Sequence, residues 1–464
     1  MIKCFITDSP YKEDLLDVVR AFFPSFKDDA GYGGKLEFKL ESGGYQIALD
    51  GATVAHGECG DADVRILKRK QKDALYRALR EQTGTELPWG SLTGIRPTRL
   101  VYELLEQGCD DAQAAARLSG LYSVSLARAR LAVDITAAQE GYMARGRCLY
   151  VNIPVCATRC AYCSFVSSTL KAAAKALPEY IRILTEEIRA LAAHFSPFTA
   201  VYVGGGTPSC IPLPLLDDVL SAIPECPELT VECGRPDSIT PELMELLARR
   251  GAARICVNPQ TLNAETLKRI GRGHTPEQFF TAYEAAKQSG LSVNCDLIAG
   301  LAGEAPDDFK NTFDTVAALR PQNITVHALS LKGGSDDRNA AADSARRSVR
   351  KSASKQEHDH CVAPCQNAAA TKMADYAREA AAAAGYIPYY LYRQKRTAGG
   401  LENVGYTLPG GQCRFNIASM EETSDIIAAG AGGISKFLHG GGRIERKANP
   451  KQIDDYIQRM RNKK

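Results

Sequence analysis

Residues 148–165 read CLYVNIPVCATRCAYCSF: an apolar, β-branched run ends in a loop that carries Cys156, Cys160 and Cys163 within eight residues. The run has the length and composition of a buried strand, and the loop follows at its C-terminal end. In parallel sheets covered by helices, that end is where loops converge on a site. Working outward, the question is whether this strand and loop open a series.

They do. TAVYVGG, LTVECG, ARICVN, SVNCDLIAG and NITVHALS follow, separated by helical stretches such as PEYIRILTEEIRALAAHF, PLLDDVLSAI, PELMELLARR, TPEQFFTAYEAAKQ and PDDFKNTFDTVAAL. Six strands alternating with helices predict a parallel sheet with helices over it, because parallel neighbours need crossover connections. An open doubly wound sheet and a partial barrel both satisfy the pattern, and six units fall short of the eight that close a full barrel. We assign this α/β domain to residues 141–332.

Residues 1–140 form an expected N-terminal α/β domain. KLEFKL and YQIALDG alternate like paired strands, RKQKDALYRALREQ reads as a helix, and a Pro/Gly-punctuated piece between Pro88 and Pro97 holds Trp89, Arg96 and, just beyond it, Arg99. Residues 333–372 have only Val349 and Val362 as branched aliphatics and no aromatic, a composition that predicts a flexible insertion. Residues 373–464 follow as a small C-terminal α+β domain, with a helix running into YYLYRQKR, a Gly-rich GAGGISK and a final helix.

The chain has 464 residues, a formal charge of +3 and fifteen cysteines. So small a charge, without a dense Lys/Arg run, excludes nucleic acid as the expected partner. The N-terminal residues lack the apolar core of a signal peptide and no stretch of about 18 apolar residues occurs, so neither secretion nor membrane insertion is expected and the setting is read as cytoplasmic. An odd number of scattered cysteines argues against a disulfide scaffold. Cys256 and Cys295, inside apolar runs, read as small buried hydrophobes.

What each strand delivers at its end defines the candidate site: the Cys156/Cys160/Cys163 loop, then Gly204, Gly205, Gly206 and Thr207, then Glu232 and Arg235, then Gln260, then Asp296. A glycine run lets a backbone approach a ligand, and a simple turn explains it equally. Glu232, Gln260 and Asp296 are also what ordinary strand ends carry. Three thiols on one loop of a reducing-compartment protein point to a metal. Structural zinc takes four ligands, usually as two Cys pairs, and His358, His360, Cys361 and Cys365 in the insertion could complete such a set. A [4Fe–4S] cluster on three cysteines leaves one iron open to an exchangeable ligand.

The CxxxCxxC spacing, with Tyr162 before the last cysteine, resembles the radical S-adenosylmethionine enzymes, whose partial (β/α)6 barrel matches the six strand and helix units. LYVNIPVCATRCAYCSF, VYVGGGTPS, NPQTLNAETLKRIGRGHT and DLIAGLAGE are similar to oxygen-independent coproporphyrinogen III oxidase and its relatives. ENVGYTLPGG, GAGGISK and the extended N-terminal region are most similar to the HemZ-type coproporphyrinogen dehydrogenase branch. The resemblance implies a [4Fe–4S] cluster on Cys156, Cys160 and Cys163, with S-adenosylmethionine on the open iron. It carries Tyr150, Tyr162, Gly205, Gly206, Thr207, Glu232, Gln260, Arg272, Asp296 and Ser330 over as cofactor contacts. Arg272 falls twelve residues after Gln260, as the motif requires. Carboxylates suit the cofactor's diol and a cation suits its acid end.

The implied reaction is oxidative decarboxylation of two propionates of coproporphyrinogen III to vinyl groups, giving protoporphyrinogen IX by way of a 5′-deoxyadenosyl radical. A one-electron donor such as flavodoxin or ferredoxin is implied with it. For the tetracarboxylate substrate, Tyr390, Tyr392, Arg393 and Lys395, beside Tyr389 and Arg396, offer rings and bidentate donors. A solvated amphipathic strand accounts for the same residues, and Arg96 and Arg99 are further candidates. Two departures stand out. Ser164 and Phe165 follow Cys163 where decarboxylating relatives carry a residue and then a fourth cysteine, and this CSF ending is closer to the haem chaperone branch; Ala302 replaces a usual proline. A haem-binding chaperone without decarboxylase activity and a radical methyltransferase acting on haem are the alternative readings.

Overall fold

A computed structural model of the protein describes residues 2–6, 11–23, 34–41, 44–49, 52–58, 63–94, 96–143, 145–163, 168–330, 364–394, 397 and 400–462. The chain divides into two compact units: Met1–Ala137 with Ala341–Thr371 and Leu391–Glu402, and Ala138–Ala340 with Lys372–Tyr390 and Asn403–Lys464. The boundary expected near residue 140 therefore falls at Ala137. Among the described residues no helix is long and apolar enough to cross a membrane.

The first unit holds a four-stranded sheet, β1 (Ile2–Ile6), β2 (Gly34–Glu41), β3 (Gly44–Leu49) and β4 (Ala52–Glu58), in that order. β1 and β2 are parallel, and β2, β3 and β4 form antiparallel hairpins. Helices Lys12–Phe22 and Val64–Thr83 bury Leu15, Leu16, Val19, Leu75 and Leu79 in one core with Ile47 of β3. The second helix starts where the Asp63 side chain accepts from the Arg65 N–H at 2.7 Å and stops at left-handed Gly84. A buried ion pair sits in this unit: Arg128 and Glu402 are 2.7 Å apart, and Trp89 Nε1 donates to the other Glu402 oxygen at 2.7 Å.

The second unit is built on the six expected strands: β5 (Arg147–Ile153), β8 (Ala200–Gly205), β9 (Leu229–Val231), β10 (Arg254–Cys256), β11 (Ser292–Ala299) and β12 (Asn323–Ala328). They lie side by side in chain order and all pair in parallel. Two-residue strands β6 (Val155–Cys156) and β7 (Ser168–Thr169) pair off at the end of β5. The crossover helices begin at strong signals: Thr240 and Thr275 cap Pro241–Arg249 and Pro276–Gln288, each with proline in its first turn.

The C-terminal strands join both edges of this sheet. β13 (Ile387–Arg393) and β14 (Glu402–Thr407) extend the sheet beyond β12, while β15 (Asp425–Ala429), β16 (Ile434–Leu438) and β17 (Ile444–Ala448) extend it beyond β5. Short strands such as DIIAA satisfy their backbone donors by joining an existing edge, and the sequence does not say which edge. The insertion expected at 333–372 is also shorter than read. Residues 364–372 belong to helix Pro364–Ala383, where PCQNAAATK runs into alanine-rich helix after an initial proline. Residues 333–363, with His358, His360 and Cys361, lie outside the described residues.

Side chains two apart on each strand line the barrel interior. At its N-terminal end Arg254 donates to Asn294 Oδ1 at 2.9 Å, to Asn323 Oδ1 and to the Gly411 carbonyl at 3.0 Å. Glu228 accepts from the first N–H groups of helix Arg414–Glu421, Arg414 at 2.9 Å and Phe415 at 3.5 Å. This polar floor leaves the opposite, C-terminal end free for a site.

Candidate active site

Cys156 closes β6, and the glycine run at the end of β8 packs directly on it. The Gly206 N–H donates to Ile153 O and the Thr207 N–H to Val155 O, each at 2.8 Å. A Cβ on Gly206 would lie 2.2 Å from the Val155 oxygen, so only glycine allows this approach. Thr207 Oγ1 stands 3.1 Å from Cys156 Sγ. The Cys163 N–H donates to the Cys160 carbonyl at 3.0 Å, and the Ala161 N–H to Ile270 O at 3.0 Å, which pins the loop to the residues before Arg272. Burial pushes the Cys156 thiol up to about 11, and Cys163 and Cys160 add to the rise, so the three sulfurs are electrostatic neighbours. Among the described residues, no three His, Cys, Asp or Glu side chains surround one metal-sized point.

Two arginines clamp this loop. Arg235 Nη1 donates to Thr158 Oγ1 at 2.6 Å while Asp237 holds the guanidinium at 2.9 and 3.1 Å. Arg272 Nη2 donates to the Tyr162 hydroxyl at 3.0 Å and its Nη1 to the Gly234 carbonyl at 2.8 Å. The Tyr162 ring packs on Leu267, Ile270, Ile298, Leu301 and Leu329. Two permanent cations beside the thiol loop would complement the negative charge of a cluster held on it.

Inside the barrel a second set of polar groups converges. Glu232 accepts from the Tyr202 hydroxyl at one oxygen and from Asn258 Nδ2 at 2.8 Å at the other. Asn258 Oδ1 in turn accepts from the Asp296 N–H at 3.1 Å, and His327 Nε2 lies 3.6 Å from Asp296 Oδ2. Burial, then the charge of Asp296, pushes the Glu232 carboxyl up to about 6. Gln260 is tied into the sheet by N–H to Asp296 O at 2.9 Å and its own carbonyl to the Ile298 N–H at 3.0 Å, at a φ of 66°. A left-handed glutamine costs roughly 1–2 kcal/mol. Its side chain is 6 % exposed and its Oε1 has no partner among the described residues.

Tyr150 is half-buried in a stack with Tyr202 and Phe415, its hydroxyl donating to Asn152 Oδ1 at 3.1 Å. Gly205 sits at φ 111°, and a Cβ there would meet Asn152 Oδ1 at 2.1 Å. Ser330, half-buried, lies two residues beyond the end of β12. The residues expected to take substrate divide. Tyr390 belongs to the second unit, buried, its hydroxyl 3.1 Å from Thr325 Oγ1. Tyr392 and Arg393 belong to the first unit. There the Arg393 guanidinium lies 5.4 Å from the Trp89 ring and donates to the Leu92 carbonyl and, at 2.9 Å, to the Gly400 carbonyl. Arg393 is thus a backbone clamp: its Nη groups hold carbonyls, and burial brings it down to about 10. Lys395 and Arg396, like Ser164 and Phe165, lie outside the described residues.

Sequence reasoning missed Asn258 and Tyr202, which fix both oxygens of Glu232. Asn258 could have been found, since it follows Cys256 by two residues on the inward side of β10. The partner role of Tyr202 depends on Phe415, over two hundred residues away, and leaves no local signal. Taken together, the donor set fits the expected groups: three neighbouring thiols beside two arginines, two inward carboxylates, two glycine cradles and an unpartnered buried amide oxygen.

A helix-covered partial barrel with a three-thiol loop at the mouth of its first strand defines the radical S-adenosylmethionine class, and residues 150–316 match the radical SAM superfamily. The chain is 35% identical over 401 residues, 82% of its length and 76% of the relative's, to the oxygen-independent coproporphyrinogen-III oxidase-like protein HemZ of Bacillus subtilis. It is 26% identical over 319 residues, 67% of its length and 75% of the relative's, to the heme chaperone HemW of Escherichia coli. The structural likeness to coproporphyrinogen III oxidase (HemN) of Escherichia coli has a TM-score of 0.50 at 21% identity, covering 72% of each chain, and speaks for the fold. The chain belongs to the HemN/HemZ family of radical SAM proteins.

Proposed function

We propose that the chain is an oxygen-independent coproporphyrinogen III dehydrogenase, converting two propionates to vinyl groups to give protoporphyrinogen IX. The observation that carries this reading is the reach of the HemZ likeness: 401 residues, far beyond the 150–316 of the superfamily match. Cys156, Cys160 and Cys163 would hold a [4Fe–4S] cluster and S-adenosylmethionine would occupy its open iron, together supplying the electron and the hydrogen-abstracting group when bound. Glu232 and Asp296 would accept from the ribose diol, and Gln260 Oε1 offers a further acceptor. Arg272 would complement the acid end while Tyr162 keeps water from the loop. Gly205, Gly206 and Thr207 would bring backbone and hydroxyl against the methionine part. Tyr390, buried with its hydroxyl against Thr325, would support the wall of the substrate pocket rather than touch the substrate. A flavodoxin or ferredoxin is the class of donor that delivers single electrons.

A second reading, a haem chaperone without decarboxylase activity, draws on the HemW relatives and on the CSF ending. One anaerobic experiment separates them. The reconstituted protein is offered coproporphyrinogen III and haem in parallel, and products are resolved by chromatography. Protoporphyrinogen with release of methionine and 5′-deoxyadenosine supports the enzyme; tight haem binding and transfer without vinyl products supports the chaperone; modified haem refutes both. Cys160→Ala should remove the cluster's visible spectrum under either reading.

A further inference from the structure

Tyr202 has no place in the expected cofactor set, yet the interior of the barrel is arranged around it. Its ring is stacked on Phe415, with centroids 4.8 Å apart and planes at 29°, and Tyr150 closes the stack at 6.0 Å from Phe415. Its hydroxyl donates to Glu232 Oε2 and stands 3.7 Å from Cys256 Sγ. Phe415 is fixed in turn: it is the second residue of helix Arg414–Glu421, whose first N–H groups are held by Glu228 at the floor. A hydroxyl can be aimed no better than its ring is held, and this ring is held on both the aromatic and the hydroxyl side.

We propose that Tyr202 is a positioning residue for S-adenosylmethionine: wedged on Phe415, it aims the hydroxyl that holds Glu232 oriented as the acceptor for a ribose diol. The inference rests on the cofactor assignment made above. With Asn258 holding the second oxygen at 2.8 Å, each carboxylate oxygen has one fixed donor and keeps acceptor capacity for a hydroxyl of the ligand. The groups facing Glu232 are Tyr202, Tyr150, Cys256, Cys233 and Asp296, with His327 behind Asp296. Burial and Asp296 push its carboxyl up, whereas the bonds from Tyr202, Cys256 and Asn258 draw it back to about 6. Removing the Tyr202 hydroxyl removes one of the bonds that favour the anion, so the carboxyl moves further up. Cofactor binding that needs the anion is then lost at a higher pH as the solution is acidified.

The test is the dissociation constant of S-adenosylmethionine for the cluster-loaded protein, measured calorimetrically from acidic to mildly alkaline pH. Wild type, Tyr202→Phe, Phe415→Leu and Glu232→Gln are compared. Tyr202→Phe keeps the stack and loses one bond to a charged group, so its affinity falls on the order of tenfold at neutral pH. Its acid midpoint rises by about one pH unit. Phe415→Leu retains the hydroxyl on a loosened ring and shifts the same way by less, while Glu232→Gln loses the pH dependence. Infrared difference spectra of the carboxyl band, assigned through Glu232→Gln, follow the same protonation without cofactor. Wild-type affinity and an unmoved midpoint in Tyr202→Phe would overturn the inference. A wild-type protein that binds no S-adenosylmethionine would overturn the cofactor assignment, and the inference with it.

Discussion

Gly206→Ala is expected to cost the protein its cluster while leaving it folded. The added Cβ would stand 2.2 Å from Val155 O and 2.7 Å from Val155 C and N. Contact between non-bonded heavy atoms becomes favourable only at about 3.5 Å, so one side must give by roughly 1 Å. What gives is the two-residue strand Val155–Cys156, since Gly206 itself is anchored by its N–H to Ile153 O at 2.8 Å. Moving Val155 stretches the Thr207 N–H bond to its carbonyl and carries the Cys156 sulfur away from Thr207 Oγ1. Metal ligation tolerates errors of only about 0.2 Å, so the affinity for iron should fall on the order of tenfold or more. The overpacking itself costs about 1–3 kcal/mol, too little to unfold a unit of this size. Iron and acid-labile sulfide per chain after anaerobic reconstitution, the visible spectrum and a thermal melt are the measurements. Wild-type iron content with an unchanged spectrum would show that the glycine cradle does not position the ligand loop.

Two further outcomes follow from buried charges. Burial pushes the Glu304 carboxyl up to about 7 from the usual carboxylate range, with Thr261 donating to one oxygen and the other without a partner among the described residues. A raised acid favours the folded state at low pH, and that contribution is lost as pH rises through about 7. Glu304→Gln should therefore flatten the decline of stability between mildly acidic and alkaline pH and gain at most about 3 kcal/mol on the alkaline side; a melt with unaltered pH dependence would refute this. Arg128→Met removes the cation paired with buried Glu402, leaving it the Trp89 N–H and the charge of Arg393, and should destabilise the first unit by up to about 3 kcal/mol. Urea unfolding reports it, and a midpoint unchanged from wild type would mean that the pair contributes nothing.

The strands of the barrel were legible because each is a β-branched run closed by glycine or a polar residue, and because crossovers of a dozen residues leave parallel pairing as the simple solution. The cysteine loop, Glu232, Gln260 and Asp296 were legible for the same reason: a strand's C-terminal end predicts where its next side chain stands. Position along a strand does not reveal partners brought from elsewhere. Phe415 meets Tyr202 only because helix Arg414–Glu421 is capped by Glu228, a contact across 186 residues. Arg393 illustrates the opposite error. Beside three tyrosines it reads as a donor to an acidic ligand, but a guanidinium is satisfied as well by backbone carbonyls and the Trp89 ring, and the sequence does not distinguish solvent from protein as its partner.

The barrel interior is divided by chemistry along its length. At the floor, Arg254 is buried among Asn294, Asn323, the Gly411 carbonyl and, at 3.9 Å, Glu228, so a charge that would be costly alone is surrounded by acceptors. Above it lies the aromatic layer of Tyr150, Tyr202 and Phe415, and only beyond that layer do Glu232, Asn258 and Asp296 open toward the cysteine loop. Aromatic rings with one hydroxyl aimed upward separate the two polar layers and still connect them mechanically. Positional coupling is strengthened, because Glu228 sets the helix, the helix sets Phe415, and Phe415 sets the ring whose hydroxyl meets Glu232. A barrel whose N-terminal end serves stability and whose C-terminal end serves chemistry can in this way tie the geometry of its site, and through the Tyr202 hydroxyl the protonation of Glu232, to the rigidity of its base.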